Sequence, residues 1–424
     1  MLSVKYIEEN KDDVINRLAK KGFDAIDIVE KLLNADNLRK QLQAKTDNIQ
    51  ADLNVKAAKI GALYKEGQKE QAESLKQDVS SIKENATKLI KQQEQAEQDV
   101  KSFLVQLPNV PHKSVPDGRT AAENVVVRTG GIFPKLPENA LPHWELTKKF
   151  NLIDFELGAK ITGAGFPVYK EKGARLQRAL ISFFLDCAGN AGYKEILPPL
   201  VVSEDSAFAT GQLPDKEVQM YHIGADNLFL IPTAEVPVTN IYRNVILEAA
   251  DMPIKMAAYT PCFRREAGSY GKEVRGLNRL HQFDKVEIVR IEQPEHSYQA
   301  LDEMVEYVEN LLQKLELPYR IVKLCGGDMS FTAALTYDFE VFSAAQKIWL
   351  EVSSVSNFET FQANRLKLRY RSELSKKPLP VHTLNGSALA LPRIVAALLE
   401  NGQHSNKIIL PATLHQYTGF DTIY

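Results

Sequence analysis

The residues with the clearest potential for chemistry lie in two neighbouring stretches of the chain. The first, Cys262 to Gly268, reads Cys-Phe-Arg-Arg-Glu-Ala-Gly, and the second, Leu277 to Glu287, reads Leu-Asn-Arg-Leu-His-Gln-Phe-Asp-Lys-Val-Glu. A charged loop, Ser269 to Gly276, separates them. This arrangement predicts a strand, a loop and a returning strand.

On the returning strand, side chains two residues apart share a face, so Phe283, Lys285 and Glu287 point the same way. At about 3.3 Å per residue, Phe283 and Glu287 are about 13 Å apart. That spacing fits an adenylate, with an aromatic platform for the base and a carboxylate for an ammonium group. By the same rule Arg264 and Glu266 share a face, and an arginine fork suits a phosphate. The alternative is a set of cross-strand salt bridges with Phe283 in the core.

The familiar nucleotide-binding loops are missing from the sequence. It contains no Gly-x-x-x-x-Gly-Lys-Ser/Thr loop and no Gly-x-Gly-x-x-Gly that opens a helix. Any ATP must therefore be held by another architecture. The cysteines Cys187, Cys262 and Cys325 show no Cys-x-x-Cys pairing, which argues against a zinc knuckle or a disulfide framework. We expect them to be small buried residues.

The N-terminal quarter of the chain differs in composition from the rest. The first proline is Pro108, and residues 28–107 are rich in Lys, Glu, Gln, Ala and Leu. In the second half of this stretch, steps of four and three link Leu75, Val79, Ile82, Ala86, Leu89, Gln93, Ala96, Val100, Phe103 and Leu107, and only Gln93 is polar. Leu38, Leu42, Ile49, Leu53 and Ile60 follow a sparser version of the pattern.

Gly67 lies in a polar interruption between the two halves. We therefore predict an antiparallel helical hairpin over residues 28–107 with its turn near Lys65 to Ala72. Each arm would reach on the order of 55 Å at about 1.5 Å per residue. A solvated coiled coil that serves only as a tether or dimer contact is the alternative.

The remaining chain predicts a second domain. Prolines between residues 108 and 118 indicate a linker. Over residues 119–424 the β-rich stretches are not regularly separated by helices, so an antiparallel sheet flanked by helices fits best. The predicted fold class is α+β, with an N-terminal domain over residues 1–107, a linker over 108–118 and a catalytic domain over 119–424.

Composition limits the classes of protein that remain. The 424 residues carry a formal charge of −2, so any contact with nucleic acid must use local patches. No stretch approaches the roughly 20 apolar residues of a membrane span. The charged N-terminus lacks the apolar centre of an export signal, and we expect a cytoplasmic protein.

The two chemical stretches carry a family resemblance. Phe-Arg-Arg-Glu-Ala-Gly, Arg-Gly-Leu-Asn-Arg and His-Gln-Phe-Asp-Lys-Val-Glu resemble motif 2 of class II aminoacyl-tRNA synthetases in its seryl form, of the bacterial type. Further similar segments are Pro108-Asn-Val-Pro111, Gly211-Gln-Leu-Pro214, Pro232-Thr-Ala-Glu235, Glu351-Val-Ser-Ser354, Ser356-Asn-Phe358, and Asn385-Gly-Ser387 leading to Arg393. The resemblance covers nearly all of the chain.

The resemblance implies roles for individual residues. Arg264 would hold the ATP α-phosphate, Glu266 would contact the adenine side and Phe283 would stack on the base. Arg393 matches the motif 3 arginine, which reaches the γ-phosphate and lies against adenine. Arg264 and Arg393 are thus the predicted catalytic residues. The implied ATP-binding set is Arg264, Arg265, Glu266, Phe283, Glu351, Val352, Ser353, Ser354 and Arg393.

Glu351 and Ser354 match the family's magnesium-binding pair, which presents hard oxygen ligands. Because their odd spacing would put them on opposite faces of a regular strand, we expect a bulge or a strand end there. The implied serine-binding set is Thr233, Ala234, Glu235, Glu287, Asn385 and Ser387. The chain departs from the family at Ala388 and Pro392, where glycines are usual, and at Asn364, where arginine is usual.

The implied function is activation of L-serine with ATP to seryl-adenylate, followed by transfer of serine to tRNA(Ser), and transfer to tRNA(Sec) is left open. ATP and Mg²⁺ would be required and zinc would not. The implied assembly is a homodimer with motif 1, ending near Pro199, at the contact, and no membrane partner is expected. Two alternatives are a class II synthetase for another small amino acid such as threonine, and an RNA-binding or scaffolding paralogue without catalysis.

Overall fold

The computed structural model of the chain describes residues 1–214, 218–266, 275–372, 375 and 377–424. Ala267, Gly268 and most of the predicted loop Ser269 to Gly276 lie outside these residues. The α-helices are α1 (Val4–Glu9), α2 (Lys11–Lys20), α3 (Ile26–Lys65), α4 (Lys69–Gln106), α5 (His143–Lys149), α6 (Phe155–Ile161), α7 (Glu171–Asn190), α8 (Glu204–Thr210), α9 (Glu235–Asn240), α10 (Ser297–Lys314), α11 (Thr360–Leu366), α12 (Leu391–Asn401) and α13 (His415–Thr418).

The β-strands are β1 (Val125–Gly130), β2 (Ile153–Asp154), β3 (Val168–Tyr169), β4 (Lys194–Glu195), β5 (Val201–Ser203), β6 (His222–Ile223), β7 (Leu228–Leu230), β8 (Ile246–Glu248), β9 (Ile254–Phe263), β10 (Gln282–Glu292), β11 (Tyr319–Lys323), β12 (Leu335–Ser343), β13 (Ile348–Asn357), β14 (Arg369–Arg371), β15 (Leu379–Pro380), β16 (His382–Ala390), β17 (Gln403–His404), β18 (Lys407–Ile409) and β19 (Thr422–Ile423). The first four helices precede every strand, and in the rest of the chain helices and strands are mixed without regular alternation, as in the predicted α+β class.

The chain forms two compact units. The first comprises Met1–Ala19 and Phe23–Pro108, and the second comprises Lys20–Gly22 and Asn109–Tyr424. In the first unit, helices α3 and α4 form the predicted antiparallel hairpin. Only residues 66–68 separate the two helices, so the turn is shorter than predicted. Gly67 turns the chain with a φ of 78°, a left-handed conformation that suits glycine.

The seam of the hairpin is apolar with one polar interruption. Leu53 packs with Val79 and Ala86 between the two helices. Gln93, the polar residue in the heptad series, donates a hydrogen bond from Nε2 to Oε1 of Gln43 on α3, at 2.5 Å. Such a polar pair within a coiled-coil seam favours one register of the two helices over the others.

The second unit is built on a sheet of eight strands in the order β1-β11-β12-β13-β16-β10-β9-β4. Every neighbouring pair is antiparallel except β4 with β9. The predicted antiparallel sheet is therefore confirmed. Helices α7, α10 and α12 pack on one face of this sheet and contribute Leu180, Met304 and Ile394 to its main core.

Successive side chains of β10 point to opposite faces of the sheet, so they lie in two different environments. Val286 and Ile288 belong to the main core beneath α7, α10 and α12. The side chains between them face the opposite side of the sheet.

The three cysteines are buried and free, as predicted.

Most of the segment predicted as a linker is packed into the second unit. Asn109 donates hydrogen bonds from Nδ2 to the carbonyl oxygens of Thr332, at 2.9 Å, and Phe358, at 2.8 Å. Val110 and Val115 are buried. Among the described residues, no helix combines the length and apolar character that crossing a membrane requires.

Candidate active site

A cleft of about 580 Å³ opens on the face of the sheet opposite α7, α10 and α12. Its volume falls within the range of about 300 to 1,000 Å³ typical of small-molecule sites. The predicted residues that line it are Thr233, Glu235, Arg264, Glu266, Phe283, Glu287, Glu351, Val352, Ser353, Ser354, Asn385, Ser387 and Arg393. Residues distant in sequence, on α9, β10, β13, β16 and α12, therefore meet in one site.

One end of the cleft combines an aromatic ring with a guanidinium group. Phe283 near the start of β10 is half-buried, and the guanidinium carbon of Arg264 lies 5.3 Å from its ring centroid. Nε of Arg264 donates a hydrogen bond to the carbonyl oxygen of Pro232 at 3.3 Å. Phe283 is thus a wall of the cleft as well as a neighbour of the core, which favours the platform over the purely structural alternative.

The rule that placed Arg264 and Glu266 on one strand face does not apply, because β9 ends at Phe263. Glu266 has a φ of 49°, outside any strand conformation. Its carboxylate accepts a hydrogen bond from Nη1 of Arg279 at 2.8 Å. The two residues still reach the same cleft, but they do so from an irregular turn.

The opposite end of the cleft contains a buried cluster of charges. Nζ of Lys285 lies 2.6 Å from Oε2 of Glu287, which confirms that these two side chains share a face of β10. The hydroxyl of Thr233 donates a hydrogen bond to the same Glu287 oxygen at 3.2 Å. Both members of the ion pair are almost fully buried, so each depends on the other for compensation of its charge.

Glu235, at the start of α9, is a second buried carboxyl group beside this pair. Burial and repulsion by Glu287 raise its pKa to about 7. Oε1 of Glu235 accepts a hydrogen bond from Nε2 of Gln362 at 2.6 Å, which partly counters the rise. Gln362 in turn accepts a hydrogen bond from the hydroxyl of Thr383 at 2.7 Å.

The predicted irregularity between Glu351 and Ser354 is present. The register of β13 against β12 shifts so that Glu351 faces Glu340 while Ser353 faces Phe339. The extra residue is Val352, and it lets the side chains at 351 and 354 line the same cleft.

An acidic residue lies directly across from this pair. Asp338 on β12 faces Ser354 in the register. Burial and the nearby Glu351 carboxylate raise the pKa of Asp338 above its usual range. Its Oδ1 is buried without a hydrogen-bond partner among the described residues. A cation beside these oxygens would compensate the concentration of negative charge.

Arg393 lies in the first turn of α12, and its guanidinium is held by main-chain oxygens. Nε donates to the carbonyl of Asn278 at 3.0 Å, and Nη1 donates to the carbonyl of Glu351 at 2.6 Å. Pro392 occupies the first turn of the helix, where its missing N–H costs nothing. The departure from glycine at this position is therefore compatible with the helix start.

The register of β16 brings two predicted residues to the charged end of the cleft. Ser387 pairs directly with Glu287 of β10. Asn385 pairs with Ser356 of β13 on the other side. Both are almost fully buried and line the cleft.

Two predicted residues do not take part in this lining. Ala234 is fully buried in a second hydrophobic cluster. Arg265 is exposed, and its backbone N–H donates to the carbonyl of Gln219 at 2.8 Å. Neither side chain is among the described residues that line the cleft.

The structure also adds residues to the cleft. Lys285 could have been assigned from strand alternation, because it lies between Phe283 and Glu287. Asn278, Ser330 and Thr332 also line the cleft. Ser330 and Thr332 come from a loop that carries no periodic pattern, so only the tertiary structure shows them.

Two domain families match the chain. Residues 220–402 match the tRNA synthetase class II core domain (G, H, P, S and T). Residues 1–111 match the seryl-tRNA synthetase N-terminal domain. The first match contains the cleft from Thr233 to Arg393, and the second contains the helical hairpin.

Whole proteins and a solved structure are similar over the full length. The chain is 51% identical over 424 residues to the serine--tRNA ligase of Salinibacter ruber, covering 100% of this chain and 99% of that protein. It is 45% identical over 427 residues to the serine--tRNA ligase of Chlorobaculum parvum, covering 100% of each. The crystal structure of seryl-tRNA synthetase from Pyrococcus horikoshii complexed with ATP gives a TM-score of 0.92 at 32% identity, covering 100% of this chain and 99% of that one.

The cleft geometry, the hairpin and the antiparallel sheet agree with these similarities. Identity of 51% to a serine--tRNA ligase extends over the whole chain. We conclude that the chain belongs to the seryl-tRNA synthetase family of class II aminoacyl-tRNA synthetases.

Proposed function

We propose that ATP and serine lie end to end in this cleft, with adenine at Phe283 and the serine ammonium group at Glu287. Family membership makes the chain an aminoacyl-tRNA ligase that activates serine with ATP and transfers it to tRNA. The observation that carries the proposed assignment of residues is the single strand face on which Phe283, Lys285 and Glu287 all border one cleft.

In the first step, a carboxylate oxygen of serine attacks the α-phosphorus of ATP. The new O–P bond forms as the bond from the α-phosphorus to the bridging oxygen breaks, and pyrophosphate leaves. No protein nucleophile is needed. The protein contributes orientation and stabilises the charge that develops on the phosphates.

Arg264 and Arg393 supply that stabilisation in our proposal, Arg264 at the α-phosphate and Arg393 at the γ-phosphate. Guanidinium groups remain charged and donate paired hydrogen bonds to phosphate oxygens. Main-chain oxygens already hold Arg393 in place, so little reorganisation is needed when ATP binds. Stacking of adenine on Phe283 would add about 1 to 3 kcal/mol.

Glu351 and Ser354 would hold a magnesium ion. Both offer hard oxygen donors, and the bulge at Val352 places them on one wall of the cleft. Hard oxygen ligands suit a cation that is shared with phosphates, so ATP would supply further ligands. The ion would neutralise charge on the phosphates.

The serine pocket uses Glu287, Glu235, Thr233, Asn385 and Ser387 in our proposal. A buried carboxylate pairs well with an ammonium group once both are desolvated together. Thr233 fixes one Glu287 oxygen, and Ser387 lies opposite on β16. Such a small polar pocket favours serine.

Amino-acid-dependent ATP–pyrophosphate exchange tests this function. We expect exchange with serine and at least about 10-fold less with threonine, because an added methyl group must fit a closed pocket, at about 1 to 3 kcal/mol. Exchange with threonine that exceeds exchange with serine would transfer the assignment to another small amino acid. The absence of exchange with any amino acid would favour the scaffolding alternative.

The same assay tests the arginine and the metal. Arg264→Ala should lower exchange by on the order of 100-fold or more, because a preorganised charge at the phosphate is lost. Arg371→Ala, which removes an exposed arginine on β14, serves as the matched control and should leave exchange unchanged. Near-normal exchange in Arg264→Ala would refute the role of Arg264.

Chelation of divalent cations should also stop exchange. Near-normal exchange after chelation would refute the role of the metal ion.

Serine binding should depend on pH through Glu235. Its pKa of about 7 means that the carboxylate form predominates only above about pH 7. Because ionised Glu235 adds a second negative charge beside the Glu287 carboxylate that binds the serine ammonium group, KM for serine should be about 5- to 10-fold higher at pH 6 than at pH 8. Glu235→Gln should abolish the pH dependence, and Gln362→Leu should move its midpoint upward. A KM for serine that is constant over this range in the wild type would contradict the prediction.

In the second step, a terminal ribose hydroxyl of tRNA attacks the carbonyl carbon of the adenylate, and AMP leaves. We propose that the hairpin of α3 and α4 binds the tRNA and grips its long variable arm. Between Glu30 and Lys101 it carries thirteen Lys and Arg against twelve Asp and Glu, and Tyr64 is its one aromatic residue before Phe103. This composition favours recognition of shape and backbone over readout of bases.

Replacing Leu38 to Leu104 with a short loop separates the two steps. Exchange should stay within about 3-fold of wild type, because the second unit has its own core, while charging of tRNA should fall by about 100-fold or more as a whole binding surface is lost. Both are measured on the same preparation. Intact charging would refute the role of the hairpin.

We also propose a homodimer, with the region near Pro199 at the contact. Leu197 is 86% exposed, and Leu200 and Val201 are also exposed. β4 occupies the edge of the sheet just before them. Exposed apolar groups beside an unpaired sheet edge are typical of a covered surface.

Leu197→Asp should shift the protein from dimer to monomer in sedimentation velocity at micromolar concentration, because a charge would be buried at the contact. Ile132→Asp, at a side chain that is 87% exposed elsewhere in the second unit, is the matched control. A monomeric wild type would contradict the proposed homodimer.

Charging of tRNA(Sec) and a cytoplasmic location stay predictions from the sequence.

A further inference from the structure

Behind the cleft lies a buried histidine–glutamate pair to which the proposed mechanism gives no role. His143 begins α5 and Glu400 lies near the end of α12, and both side chains are 0% exposed. Nδ1 of His143 is 2.8 Å from Oε1 of Glu400, which also accepts the backbone N–H of His143 at 2.9 Å. Glu400 further accepts a hydrogen bond from the hydroxyl of Ser343.

The hydrogen bonds of His143 distinguish its two ring nitrogens. Its Nε2 accepts the backbone N–H of Leu277 at 2.8 Å. A backbone amide can only donate, so Nε2 must carry a lone pair and the ring proton must be on Nδ1, where it is donated to Glu400. The glutamate therefore selects the tautomer that leaves an acceptor for Leu277.

By accepting this hydrogen bond, Nε2 of His143 holds the end of the predicted motif 2 loop at the point where the chain returns to the sheet. Gly276 precedes Leu277 with a φ of 68°, and a Cβ built on it would lie 2.3 Å from Nε2 of His143. Only glycine fits between the ring and the chain at this point. Nδ2 of Asn278 donates to Oε1 of Gln346 at 3.0 Å, and Gln346 donates to Oε1 of Glu400 at 2.9 Å.

The next contact in this series is Arg393. Its Nε donates to the carbonyl oxygen of Asn278 at 3.0 Å. Leu277 and Asn278 both line the cleft. The His143–Glu400 pair therefore fixes the carbonyl that aims a phosphate-binding guanidinium.

We infer that His143 is a positioning residue for ATP, which acts by holding residues 276–278 and, through the Asn278 carbonyl, Arg393. The inference rests on the proposed function, since it assumes that Arg393 binds ATP. His143 itself is not among the described residues that line the cleft.

A purely structural role explains the pair less well. Two fully buried polar groups lose their hydration, and an apolar pair of the same volume would often stabilise a fold equally well or better. The polar pair offers what an apolar one cannot, namely a lone pair directed at the Leu277 amide.

Two substitutions at position 143 separate the two hydrogen bonds. Glutamine places its amide near the position of Nε2 and can still accept from Leu277, whereas asparagine reaches only the position of Nδ1 and can still donate to Glu400. In serine-dependent exchange, we expect H143N to raise KM for ATP about 10-fold and to change KM for serine less than about 2-fold, because the Leu277 amide loses its acceptor and residues 276–278 are no longer held. H143Q should stay within about 3-fold of wild type for both.

Thermal melting of both variants and calorimetric binding of ATP without serine complete the test. The inference predicts similar losses of melting temperature but weaker ATP binding in H143N alone. Equal effects of the two variants on ATP, or parallel increases in KM for ATP and serine, would overturn it.

If neither variant folds, Gln346→Ala provides a second test. It removes the hydrogen bond to Asn278 from a half-buried site, and it should raise KM for ATP at least about 3-fold. An unchanged KM for ATP in that variant would overturn the inference.

The outcomes distinguish this inference from the proposed function. A wild type without serine-dependent exchange would remove the proposed function itself. A wild type with normal exchange, together with an H143N variant that binds ATP normally, would remove only the role of His143.

Discussion

Strand β10 has to satisfy an apolar core and a charged cleft at once. Val286 and Ile288 pack into the core beneath α7, α10 and α12, while Lys285 and Glu287 carry opposite charges on the other face. The ion pair is nearly as buried as the core residues beside it. Two charges withdrawn from water on one strand are tolerated because each compensates the other.

This constraint explains why each buried carboxylate at the charged end of the cleft has an ion-pair or hydrogen-bond partner. Glu287 is held by Lys285 and Thr233, and Glu235 is held by Gln362. In our proposal, a substrate ammonium group that enters this site finds carboxylates whose orientation is already fixed. The burial that raises the pKa of Glu235 also strengthens its attraction for a cation once it is ionised.

The end of the cleft that we propose for the ATP phosphates depends on main-chain oxygens as well as on side chains. Arg393 is oriented by the carbonyls of Asn278 and Glu351, and the bulge at Val352 turns Glu351 and Ser354 toward the same cleft. Functional groups from the motif 2 and motif 3 regions are thereby coupled through the backbone. Catalysis by charge stabilisation requires this kind of preorganisation, because donors that must reorient during the reaction lose much of their effect.

Several features could be predicted from local sequence alone. The heptad steps predict the hairpin, because one stripe of apolar residues must be buried against a partner. The alternation from Phe283 to Glu287 predicts a shared face. In both cases the information lies in the periodicity of nearby residues, whereas the odd spacing of Glu351 and Ser354 predicts a bulge or a strand end only once the family resemblance assigns both residues to one metal site.

The sequence by itself determined which residue types are present and which of them share a local face, along with membership of a family whose motifs extend over the chain. The tertiary structure decided what local periodicity cannot encode. It ended β9 at Phe263, so that Glu266 reaches the cleft from a turn, and it left Arg265 exposed and Ala234 in a core cluster. It also brought His143 and Glu400, 257 positions apart, within 2.8 Å of each other. Contacts of that kind depend on how helices and strands pack, and no pattern within a single element specifies them.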